Sequence, residues 1–143
     1  MIKPNAILEI KKENLIHNYK ALNKLASSSL AGATLKANAY GIGDKEIYKL
    51  LYNNHCRHFF FASLEEALNI RKKYKKGNVY VLNGIEGHNL NIFKNFNIVP
   101  ILNSLKELKQ FMNNNEMNKK IKIGLQVETG LNRLGISINN LKS

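Results

Sequence analysis

Tryptophan is absent from the 143 residues, cysteine occurs once, proline twice and arginine three times, and 10 acidic residues face 22 basic ones. Each shortage excludes something. A lone Cys56 has no partner for an intrachain disulfide, which agrees with a reducing compartment. No apolar run approaches the ~18 residues a membrane helix needs. The N-terminus, Met1-Ile2-Lys3-Pro4-Asn5, leads into charges at Glu9, Lys11, Lys12 and Glu13 rather than into an apolar signal region. A cytoplasmic chain without a membrane partner is therefore expected. The net charge of +12 would suggest nucleic acid, but 19 of the basic residues are lysines and they accompany 22 asparagines and 15 isoleucines. An AT-rich genome over-produces those three residue types. Arginine, the preferred base reader, is scarce, and no basic run interleaves with aromatics, so no nucleic-acid partner is expected.

What is present is a repeating pattern. Ala6 to Ile10 alternates weakly and suits a short strand, and Leu15, Tyr19, Leu22 and Ala26 follow at helical spacing. After the break at Ser27 to Ser29, Leu30 to Leu35 predicts a buried strand ending at Lys36. Gly41 and Gly43 form a loop, and Asp44 can cap a helix with Ile47, Leu50 and Leu51 on its apolar face. Phe59 to Ala62 predicts a strand, and Ser63-Leu64-Glu65-Glu66 has capping-box spacing for a helix reaching about Tyr74. The next cycle is a strand over Val79 to Leu82, a turn at Gly84 and Gly87, and a helix with Leu90, Phe93 and Phe96. Another follows: a strand over Ile98 to Leu102, a second capping box at Ser104 to Glu107, and a helix with Leu105, Leu108, Phe111 and Met112. Asn113 to Asn115 ends that helix, Ile121 to Val127 predicts a fifth apolar strand, and the rest from Glu128 reads as loop.

Leaving aside the first short segment, five strands centred near residues 33, 60, 80, 100 and 124 alternate with four helices. The pattern predicts an α/β fold with a parallel sheet, either doubly wound or barrel-like. A closed (β/α)8 barrel needs eight of each element and about 250 residues. If this is barrel sequence, residues 1–143 are an incomplete barrel domain, five strands of eight, not closed.

Two constellations carry chemistry. In Leu35-Lys36-Ala37-Asn38-Ala39-Tyr40-Gly41-Ile42-Gly43, a lysine ends an apolar strand, where barrel enzymes build their sites. An amine there can form a Schiff base with an aldehyde cofactor, and Tyr40 beside two glycines can face a phosphate; a solvated strand-end lysine is the competing reading. In Val127-Glu128-Thr129-Gly130-Leu131-Asn132-Arg133-Leu134-Gly135, one of three arginines sits on a glycine-bracketed loop. It can fork onto a carboxylate or phenolate, or pair with Glu128. His55-Cys56-Arg57-His58 gathers possible metal ligands, but one sulfur and no second cluster predict a turn before a strand and no metal site. His17 and His88 read as surface residues.

LKANAYGIG followed by VETGLNRLGI resembles the motif pair of bacterial alanine racemases, the fold-type III enzymes that use pyridoxal phosphate. VYVLNGIE and VPILNSLKELKQF also match that family's third and fourth barrel strands, so the resemblance runs from Ala6 to Ile136. It implies the N-terminal part of a TIM barrel, with the family's C-terminal β domain absent from these residues. It implies a racemase interconverting L-alanine and D-alanine for cell-wall precursor supply, homodimeric at full length and truncated and inactive alone. The alternative is a non-catalytic cofactor-binding remnant, or one half of a split racemase completed by a second polypeptide. Lys36 would carry pyridoxal 5'-phosphate and act as a catalytic base, Tyr40 would hydrogen-bond the cofactor phosphate, and Arg133 would lie beside the phenolic oxygen and orient substrate. Two positions depart from the pattern. Ile42 replaces a frequent histidine. Gln126 and Glu128 stand where a carbamylated lysine and an aspartate are common, and glutamine brings no negative charge to Arg133.

Overall fold

The computed structural model describes residues 6–113 and 121–141. Its elements run in chain order as α1 (Lys12–Leu25), β1 (Ala33–Thr34), α2 (Lys36–Tyr40), α3 (Asp44–Asn53), β2 (His58–Phe61), α4 (Leu64–Lys73), β3 (Asn78–Val81) and α5 (Leu90–Asn95). They continue with β4 (Ile98–Leu102), α6 (Leu105–Met112), β5 (Gly124–Leu125), β6 (Val127–Glu128), β7 (Ile136–Ser137) and α7 (Ile138–Leu141). Strands β1 to β5 form one parallel sheet in sequential order.

That order decides between the two architectures left open by the sequence. A doubly wound sheet reverses its strand order, which puts helices on both faces. Here no reversal occurs, and right-handed crossovers that all advance in one direction keep their helices on one face. The burial pattern agrees. Phe59, Phe61, Val79, Val81, Ile98 and Leu102 are buried and share a core with Ile47, Tyr48 and Leu51 of α3, Ala67 and Ile70 of α4, and Phe93 of α5. Alternate residues, His58, Phe60, Tyr80, Val99 and Ile101, are only half-buried. They form the concave face that a closed barrel would enclose, and Phe60 and Tyr80 stack there with centroids 4.6 Å apart.

Burying both aliphatic and aromatic side chains of the helix-facing set stabilises the sheet by roughly 1.5–3 kcal/mol for each large residue removed from water. Helices α4 and α6 start where their serines predict. Ser63 Oγ accepts from the Glu66 N–H (3.3 Å), and Ser104 Oγ accepts from the Glu107 N–H (3.2 Å).

Five expectations change. The single apolar strand expected over Ile121 to Val127 is reduced to β5 (Gly124–Leu125), and Val127 belongs to β6 in a separate two-stranded sheet. Ala6 to Ile10 forms no strand: it has no pairing partner, and Ile7 and Leu8 are both exposed, so its weak alternation separates no buried face from a wet one. The strand foreseen over Leu30 to Leu35 shortens to Ala33–Thr34, because β1 is an edge strand paired only with β2 and Leu30 is exposed. Asp44 is the first helical residue of α3 rather than its cap; Gly43 is the N-cap, and the Asp44 N–H is taken by Asn38 Oδ1 (3.0 Å). The stretch from Glu128 is not all loop. Ile136 N–H donates to the Gln126 carbonyl (2.8 Å), so β7 pairs in parallel with β6 before α7 begins. Asn114 and Asn115, expected to end α6, lie outside the described residues; Asn113 is its C-cap.

Candidate active site

In a parallel β/α sheet the loops after the strands lead into helix N-termini, so they present backbone N–H groups at one end of the sheet. Lys36 and Arg133 both follow strands and both lie at that end. The loop carrying Lys36 is unusual. Ala37, Asn38, Ala39 and Tyr40 have φ values of 51°, 54°, 52° and 55°, a full left-handed turn of four non-glycine residues. Such a turn costs roughly 1–2 kcal/mol per L-residue and persists only where surroundings compel it.

Several bonds do so. Ala39 N–H donates to the Leu35 carbonyl (2.8 Å), and Gly43 N–H donates to the Asn38 carbonyl (2.9 Å). Asn38 Oδ1 takes the Asp44 N–H, and Ala37 N–H donates to Glu66 Oε1 (2.8 Å). Ala39 is buried against the core. Gly41, at φ 91°, continues the positive-φ path at no steric cost, and a side chain built there would meet nothing within 4 Å. Ile42, the departure from the usual histidine, packs against the core.

The turn brings Lys36 and Tyr40 together. The Lys36 ammonium lies 5.9 Å from the centroid of the Tyr40 ring, and no carboxylate pairs with it among the described residues. Tyr40 is 65% exposed, with no hydrogen bond to its hydroxyl among the described residues. The pair therefore offers an uncommitted amine and an uncommitted donor beside open space.

Arg133 stands apart from that pair. It is exposed on the loop after β6, across the sheet from β1, with β2, β3 and β4 between. Only curvature of the sheet draws such edges toward one mouth. The ion pair with Glu128 does not form: Glu128 is turned to its own loop, where its carboxylate accepts the Gly130 N–H and is further held by the Asn132 N–H. Those amide bonds, Asn132 first, lower its pKa below the ordinary carboxylate value. Gln126 does not reach the guanidinium either. Its Nε2 makes a long 3.5 Å contact to the Leu134 carbonyl. Gly135, at φ 122°, closes the loop where a Cβ would lie 2.7 Å from the Glu128 nitrogen.

In the segment from His55 to His58, Cys56 and His58 make local contacts. Cys56 is fully buried with its thiol 3.5 Å from the His58 carbonyl, and burial raises its pKa. His58 Nδ1 lies 2.8 Å from the Tyr80 hydroxyl. No group of three or more potential ligands gathers among the described residues. A groove of about 360 Å³ lined by Tyr48, Tyr52, Tyr74 and lysines lies at the other end of the sheet, away from Lys36. The sequence reading missed two contributors, Asn38 and Glu66. The capping box pointed to Glu66, but spacing along one helix says nothing of a neighbouring loop.

Among the described residues no helix is long and apolar enough to cross a membrane. Residues 10–143 match the family model described as "Alanine racemase, N-terminal domain". Curated relatives include the alanine racemases of Rickettsia africae, 37% identical over 137 residues, and Rickettsia canadensis, 39% identical over 137 residues. In both cases the match covers 94% of this chain and 39% of the relative, so the chain spans about two-fifths of their length. A crystal structure of alanine racemase from Bartonella henselae with covalently bound pyridoxal phosphate superposes with a TM-score of 0.83 at 31% identity, covering 93% of this chain and 38% of that one. A histidine racemase from Leuconostoc mesenteroides gives 0.79 at 26% identity, covering 91% of this chain and 36% of that one. The open five-stranded sheet thus corresponds to the N-terminal part of a racemase barrel, and the chain belongs to the alanine racemase N-terminal domain family.

Proposed function

We propose that this chain carries the cofactor-bearing part of a pyridoxal-phosphate-dependent amino-acid racemase, with alanine as substrate and D-alanine for cell-wall precursors as product. The observation that supports it most is the Lys36–Tyr40 pair on a strained turn at the end of a parallel strand. The residues present fit the group: among the described residues the amine has no carboxylate partner and the Tyr40 hydroxyl has no hydrogen bond, and there is space beside Gly41. Bound there, pyridoxal phosphate would supply an aldehyde that condenses with amines and a ring that accepts the electron pair left by a departing α-proton.

The chain's own residues do the rest. Lys36 would hold the cofactor through its amine and would take or return a proton at the substrate α-carbon. Tyr40 would donate its hydroxyl to the phosphate. Arg133 offers its guanidinium to the phenolic oxygen or the substrate carboxylate as a planar fork. Lys36 serves one face of the α-carbon, and the group serving the other is not among the residues assigned here. The open sheet favours a second reading for the 143 residues by themselves, a non-catalytic cofactor-binding module or one half of a split racemase whose barrel a second polypeptide completes; a homodimer is the assembly proposed for the full-length protein.

The test is a titration of the chain with pyridoxal phosphate. A visible absorption band that borohydride removes is expected for the native protein and is lost in K36A. An equal band in K36A would overturn the assignment of Lys36. Racemisation of alanine by the 143 residues alone would overturn the second reading.

A further inference from the structure

The left-handed turn behind Lys36 is held partly from outside, by one side chain of the neighbouring β/α unit. Glu66, half-buried in the first turn of α4, uses both oxygens. Oε2 accepts the Ala62 N–H (2.9 Å) in the loop after β2, and Oε1 accepts the Ala37 N–H (2.8 Å) in the loop after β1. One carboxylate thus bridges two adjacent loops by charge-assisted bonds, and the second bond falls on the peptide that immediately follows Lys36. Glu66 does not pair with the Lys36 amine, which lies over the Tyr40 ring. It acts on the backbone.

From this geometry we infer that Glu66 is a positioning residue for Lys36. Its carboxylate fixes the left-handed turn so that the amine leaves the strand end beside Tyr40. The inference rests on the reading of Lys36 as the cofactor-bearing amine. Two acceptor oxygens are required, because the two partners are both N–H donors. Glutamine offers one oxygen, and its NH2 would be turned against one of the two amides.

The molecule contains its own control. Glu107, at the matching position of the second capping box, accepts the Asn103 N–H (2.7 Å) and the Ile85 N–H (3.1 Å), and so ties the loops after β4 and β3. It has the same chemistry and the same kind of cost on removal, but holds no part of the Lys36 turn. A purely structural role for Glu66 would make the two carboxylates equivalent.

The experiment follows amide exchange at Ala37 and the growth rate of the Lys36-dependent absorption band with pyridoxal phosphate, in the wild type, E66Q, E66A and E107Q. In both Glu66 variants, Ala37 exchange should accelerate about tenfold or more, and band growth should slow by about ten- to a hundredfold. E107Q should keep both at wild-type values, even with a comparable loss of melting temperature. Equal values in E66Q and E107Q would overturn the inference. If the wild type forms no such band, the cofactor reading falls, and Ala37 exchange decides alone: faster exchange in E66A sustains the tether, and unchanged exchange removes it. Should E66A lose the fold, E66D, which keeps the charge but shortens the reach, carries the same comparison.

Discussion

The two ends of the sheet solve opposite problems with opposite chemistry. Where strands end and helices begin, spare backbone N–H groups are collected by acceptors: Glu66, Glu107, Ser63, Ser104, Asn38 and Glu128. Where helices end and strands begin, spare carbonyls are collected by donors. Arg71, only 1% exposed, donates to the carbonyls of Lys75 (3.3 Å), Lys76 (3.1 Å), Gly77 (2.8 Å) and Asn97 (2.8 Å). The Tyr48 hydroxyl also donates to the Lys76 carbonyl, and Arg57 donates to those of Tyr52 (2.7 Å) and Cys56 (2.8 Å). At the donor end Arg71 and Tyr48 are buried and Arg57 is exposed, and the Arg71 Nε has no partner among the described residues. The acceptor end holds the left-handed turn and leaves an amine, a phenol and a guanidinium without partners among the described residues. The buried arginine lies at one end and the uncommitted groups at the other, which matches the division between stability and activity found in barrel enzymes.

Breaking the donor end should cost most. R71M would leave three or four inward carbonyls without a donor and should lower unfolding free energy by ~3 kcal/mol or more in urea, with the Lys36 absorption band unchanged. R71K keeps the charge but not the fork, and should recover only part of the loss. A band lost in parallel with stability would show that the two ends are not separate.

At the other end, G135A forces a Cβ toward the Glu128 nitrogen at a positive φ. About 1–3 kcal/mol of strain is expected, confined to the Arg133 loop and visible as faster amide exchange there but not at Ala37.

The remaining contrasts are titrations. Burial pushes the Tyr48 phenol up to about 12 from 10.0. Folding favours its neutral form, so its contribution is full below about pH 10 and is lost as the pH rises through about 12. Y48F should flatten the fall in urea midpoint over that window, and an unchanged slope would contradict the assignment. Glu128 behaves in the opposite sense. Its folded pKa is depressed, so its hold on the loop is present above 4.5 and lost as the pH falls through the lower folded value. Protection factors at Gly130 and Asn132, taken against the intrinsic exchange rate at each pH, should fall in acid in the wild type and be low at every pH in E128Q. This is the smallest effect, because the carboxylate is exposed.

The acceptor end was partly legible in the sequence. Both capping boxes, the five sheet strands and the lysine and arginine loops follow from spacing, because apolar periodicity and serine caps are local signals. The left-handed turn is not legible, since Ala37, Asn38 and Ala39 carry no glycine to announce positive φ, and one of the bonds that hold it, from Ala37 to Glu66, spans 29 residues. The pairing of β6 with β7 escapes for a related reason: two-residue strands leave no period to read. Arg71 is one of three consecutive basic residues at a helix end, Arg71-Lys72-Lys73, and only burial separates it from its neighbours.

The proposed role of Lys36 is that of the amine that receives pyridoxal phosphate. The most direct measurement is borohydride trapping followed by proteolysis and mass mapping across all 19 lysines. Incorporation concentrated on the peptide containing Lys36 is the predicted result, and incorporation spread over the surface lysines in proportion to their exposure would contradict it.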